Sequence, residues 1–123
     1  MNREPMTVDE ALKLLEAVVA DFGEDHVYQR HSLAEGGATC RHIHNGEPDC
    51  LVGHVLIRSG RFTAEELSDI QTVRLAAFTY PGRLVDEATH VLVAAQSTQD
   101  AGCTWGVALE RARRVAQRLA SES

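Results

Sequence analysis

A chain of 123 residues, 44% apolar and with a formal net charge of −6, suits one domain whose core is large enough to fold without disulfides or metal. The acidic balance argues against a protein built mainly to grip phosphate backbones, and no apolar run approaches a membrane span. Aromatic residues make up only 5%, so the core must come from Leu, Val and Ala, a composition that favours helices.

In chain order, residues 1–6 read as a polar lead-in. Thr7 and Glu10 have the spacing of a capping box, and Val8, Ala11, Leu12, Leu15, Val18, Val19 and Phe22 then form one helical stripe that Gly23 ends. Residues 24–39 dissolve into mixed charge and the Gly36-Gly37 pair, which predicts a loop with a short extended piece at Val27 and Tyr28. After Cys50, residues Leu51, Val52, Val55, Leu56 and Ile57 predict a second helix that stops at Gly60. Gly53 inside it costs about 1 kcal/mol relative to Ala, which signals another backbone close by. A second capping box, Thr63 to Glu66, opens a helix with Leu67 and Ile70 that either continues through Val73 or breaks near Gln71.

Pro81-Gly82 punctuates the chain. Beyond it Val85, Ala88, Val91, Leu92 and Ala95 predict a helix over 85–97, apolar on more than one side, which is either the centre of the domain or half of an interface. The second alternative carries the expectation of a homodimer. Ala101-Gly102 stops this helix, Thr104 caps the next, and Trp105, Ala108, Leu109, Ala112, Val115, Ala116 and Leu119 form the last stripe. Arg111, Arg114 and Arg118 lie beside it, read as a solvated face helped by the helix dipole, with an acidic partner as the other reading. The sum is a mainly α fold, a single domain over 1–123 with four or five helices around 85–97 and at most a two-stranded hairpin between residues 28 and 44.

Candidate chemistry is concentrated in 40–54. If 40–44 is extended, Cys40, His42 and His44 share one face; if Asp49 caps the following helix, Cys50 and His54 stand at i and i+4. Cys40, His44, Cys50 and His54 would then form a closed set of two thiolates and two imidazoles for a structural zinc ion. The spacing C-x-H-x-H-x5-C-x3-H matches no common zinc motif, and Cys50 packing with Leu51 and Val55 in the core stands beside the metal reading. A Cys40–Cys50 disulfide and a Cys50–His54 nucleophile pair with Asp49 nearby are two further alternatives. Cys103 has no assigned partner and reads as structural. An odd cysteine count and no N-terminal export pattern give the expectation of a cytoplasmic protein with reduced thiols.

The run from Cys40 to Leu56, containing His-x-Gly-x-Pro-x-Cys-Leu-Val-Gly-His-x-Leu, resembles small proteins of actinobacteria and their bacteriophages. Ala94-Ala-Gln-Ser-Thr-Gln-Asp-Ala-Gly102 with Thr104-Trp105-Gly106 and Ala108-Leu109 is similar to the same group's C-terminal block. The resemblance implies a source class and no activity. It also implies an aromatic preference at the position of His42, which makes His42 the weakest of the proposed ligands. Gln96, Gln99 and Asp100 match the polar part of the C-terminal block, where Asp100 is expected to cap or bind backbone.

No phosphate loop, apolar carboxylate pair or basic groove is legible. The functional expectation is therefore a small interaction module of phage or prophage type, binding a host or phage protein in the cytoplasm, with no nucleic-acid or membrane partner. The alternative is a small metal-dependent or thiol enzyme using the 40–54 cluster.

Overall fold

Thr7 starts the first helix, α1 (Val8–Phe22), by accepting from the Glu10 amide at 3.2 Å, and Ala11, Leu15, Val18 and Val19 face inward. Glu10 does not complete the expected capping box; its carboxylate pairs with Arg61 instead. The computed structural model describes residues 4–28, 31–32, 38–39 and 42–122. Two antiparallel pairs follow α1: β1 (His31–Ser32) with β2 (Ala38–Thr39), inside the window expected for a hairpin, and β3 (Ile43–His44) with β4 (Glu47–Pro48). The second turns through Asn45 and Gly46, both at positive φ (54° and 81°), as a two-residue hairpin turn requires.

The remaining elements are helical: α2 (Leu51–Arg58), α3 (Ala64–Leu67), α4 (Val73–Thr79), α5 (Asp86–Asp100) and α6 (Trp105–Glu122). The mainly α expectation holds. The second capping box is complete, Thr63 and Glu66 each satisfying the other's backbone amide, and the chain does break between Ile70 and Val73, where the Thr72 hydroxyl caps α4 at the Leu75 amide. Thr104 caps α6 through the Val107 amide.

The centre of the molecule is α5, which touches α6, α1, α4 and α2. Its buried residues, Ala88, Thr89, Val91, Leu92, Ala95, Gln96 and Gln99, occupy more than one side, which is why its apolar pattern is broad. The argument for a homodimer through this helix falls with that observation, because other helices of the same chain cover it. Met6, read from the sequence as part of a polar lead-in, belongs to the core. Met6 is fully buried and exchanges hydrogen bonds with Arg83 and Val85, bridging to Leu84.

Candidate functional site

Residues 42–54 fold into a corner where β3 and β4 meet the N-terminus of α2, and their hydrogen bonds differ from the sequence expectation in register. Cys50, not Asp49, is the N-cap: its Sγ accepts from the Gly53 amide at 3.3 Å, with extended backbone angles typical of a cap. Asp49 is occupied elsewhere, its carboxylate accepting from the Tyr28 hydroxyl at 2.5 Å. The shift of one residue makes Cys50 the cap, one turn before His54, whose amide donates to its carbonyl at 3.0 Å, and turns its sulfur to Gly53 and His42.

His42 corrects a second expectation. Strand alternation would put it on one face with His44, but it lies before β3, and both His42 and Ile43 are buried while His44 is half-buried. Its backbone explains this. The His42 carbonyl accepts from the Asp49 amide at 2.8 Å and lies directly on Gly53, where an added Cβ would fall 2.2 Å from that oxygen. The glycine in the helix therefore marks a close backbone approach, as its cost implied.

The His42 ring sits 3.2 Å through Nδ1 from the Cys50 Sγ. Burial drives its pKa down, an effect that the Thr72 backbone and the Asp100 carboxylate only partly offset, so the ring is neutral near pH 7. Nδ1 accepts from the Cys50 thiol in one neutral tautomer and donates to its sulfur in the other, while Nε2 is buried with the Thr72 backbone near it but no hydrogen bond of good geometry among the described residues. Both side chains have no exposed surface. The pair contains the residue types of a thiol nucleophile and its base, but Cys50 offers no face for a substrate to approach. What it can do is hold β3 against the start of α2.

Gln99 completes the corner, and sequence reasoning assigned its part to Asp100. The Gln99 Oε1 accepts from the Leu51 amide at 2.9 Å and from the Trp105 indole at 3.1 Å, while its Nε2 donates to the Asp100 carboxylate at 3.0 Å. One buried amide thus serves the first turn of α2 and the first residue of α6. The available signal was position: Gln99 continues the inward series Ala88, Leu92, Ala95 by one more turn, where a polar residue needs internal partners.

Three of the four proposed metal ligands are among the described residues, and each stands on a different part of the corner. Cys40 lies outside the described residues. His44 is on β3, Cys50 is committed to His42 and Gly53, and the His54 ring stacks at 4.8 Å from Phe22 and 6.0 Å from Trp105. His26 joins that aromatic group, 4.3 Å from Trp105. Burial, with Arg58 and His26 adding repulsion against the Asp49 charge, lowers the His54 pKa. Among the described residues no group of three or more His, Cys, Asp or Glu side chains gathers as a metal-binding set. None of the helices described is long and apolar enough to cross a membrane.

Comparison with known protein families, with curated proteins and with solved structures finds no match to this chain.

Proposed function

We propose that this chain is a small protein-binding module that acts by contact and not by turnover, with α4 as its contact surface. The observation that carries the reading is Phe78, 83% exposed, with Leu75 one turn away at 44%, while Val73 and Ala76 of the same helix are buried. Sequestering a phenylalanine from water is worth roughly 1.5–3 kcal/mol. This chain has few aromatics, and one of them stands almost wholly in solvent on a short, capped helix. Rigid aromatic anchors of this kind are what binding interfaces concentrate. The resemblance to actinobacteriophage proteins supports a host or phage protein met in the cytoplasm as the partner.

The test compares two baits in an actinobacterial lysate, the unaltered chain and Phe78→Asp. Because Phe78 supports nothing in the core, the variant should melt at the same temperature and lose the retained protein. Equal retention by both baits would remove α4 from the account, and turnover of a substrate by the unaltered chain would remove the reading. Light scattering of both proteins separates a second copy from a foreign partner: a dimer that dissociates in Phe78→Asp would make the partner the chain itself.

A further inference from the structure

Arginine outnumbers lysine eleven to one, and most described arginines have a carboxylate: Arg58 with Asp21, Arg61 with Glu10, Arg83 with Glu66, Arg113 with Glu16 and Arg114 with Glu110. Arg74, Arg111 and Arg118 have no ion pair among the described residues, in a chain with 18 carboxylates to offer. Arg74 lines a cavity that includes Asp100. Arg111 and Arg118 differ. They line, with Arg114, a cavity of about 570 Å³ between α5 and α6 whose other walls are Ala94, Ser97, Thr98, Ala101, Cys103 and Val115, with no carboxylate among them.

The helix dipole does not account for this cluster, because α6 runs on to Glu122 and its last turn holds no basic residue. Like charges at i, i+3 and i, i+4 repel along a helix, so Arg111, Arg114 and Arg118 do not stabilise α6 by their mutual placement. A second cavity, of about 370 Å³, shares Thr98, Cys103, Arg111 and Arg114 and adds Val107, half-exposed and apolar, and Glu110, whose carboxylate is paired with Arg114 at 3.4 Å and leaves Arg111 and Arg118 as the uncommitted guanidinium groups. Both volumes lie within the range of small-molecule sites, roughly 300–1,000 Å³. Guanidinium groups hold phosphate oxygens in a two-pronged fork, and the Ser97 hydroxyl adds a donor beside them.

We propose that the cavity between α5 and α6 binds a small organic phosphate, its phosphate held by Arg111 and Arg118 with Arg114, bound to Glu110, at the rim, and its organic part against Val107 and Cys103. The probe is phenyl phosphate, titrated calorimetrically into the full chain at low salt, with inorganic phosphate and a short polyglutamate peptide as parallel arms. Expected is saturable one-to-one binding of phenyl phosphate, tighter than inorganic phosphate by several-fold because the ring fills the Val107 side. Arg111→Gln with Arg118→Gln should weaken it at least about tenfold, the loss of charge-assisted bonds, with unchanged melting since both side chains are exposed. Arg113→Gln, on α6 but outside the cavity, should leave it unchanged. Absence of saturation, an equal loss in Arg113→Gln, or peptide binding tighter than either phosphate would each overturn the proposal, the last in favour of an acidic polypeptide. Phosphate and phenyl phosphate binding equally would overturn the organic part and leave an oxyanion site.

Discussion

Two regions of this molecule are stabilised by different means. The frame of α1, α5 and α6 meets through stripes of Leu, Val and Ala, and its buried faces carry little polar chemistry apart from the glutamines of α5. The corner made by β3, β4 and α2 is joined through buried polar atoms, the Cys50 sulfur, the His42 ring and the Gln99 amide, and through the half-buried Asp49 carboxylate on Tyr28. Apolar contacts tolerate a change of partner. A buried polar group tolerates none, because each unmet donor costs about 1–3 kcal/mol. The chain thus places adaptable packing in its frame and fixed geometry at the corner.

The sharpest break in the comparison is Gly53→Ala. A methyl group 2.2 Å from the His42 oxygen forces β3 off α2, and the expected loss in chemical denaturation is about 3 kcal/mol or more. The same substitution at an open helix position would gain stability.

Gln99→Met keeps the side-chain length and removes both hydrogen-bonding ends. It should cost about 2–3 kcal/mol, since the Leu51 amide and the Trp105 indole lose their acceptor while apolar burial is retained. An effect below about 1 kcal/mol would mean that water enters and replaces the amide.

The smallest effect is pH dependence. His42 and His54 both have pKa values lowered by burial, so the folded protein binds fewer protons than the unfolded chain once the ordinary imidazole range is reached. Their contribution is fully present above that range and is lost as pH falls through it toward the lowered values. Melting temperature should drop between pH 7.5 and pH 5, and His42→Phe should shrink that drop without abolishing it, because His54 keeps its share. A profile flat down to pH 5 would contradict neutral buried rings.

What was legible in the sequence follows the same division. Periodicity located α1, α5 and α6 because Ala11, Leu15 and Val18, or Ala108, Ala112 and Val115, repeat at helical spacing whatever they touch. The caps at Thr7, Thr63 and Thr104 were equally local. The corner was misread by one residue at Asp49 and by one face at His42, since neither error changes the hydrophobic pattern. Both were decided by partners distant in sequence, Tyr28 for Asp49 and the backbone contact with Gly53 for His42. The cost of a glycine in a helix was the only local trace of that contact.

One buried amide, that of Gln99, fixes the first turn of α2 to α5 and α6, beside the apolar packing of Leu51, Val52, Val55 and Leu56. Hydrogen exchange of individual amides in Gln99→Met tests it most directly. Leu51 and the following amides of α2 should exchange at least tenfold faster than in the unaltered chain, while Leu15 to Val19 of α1 and Ala112 to Ala116 of α6 keep their protection relative to global stability. Acceleration spread evenly over α1, α2 and α6, or none at Leu51, would contradict it.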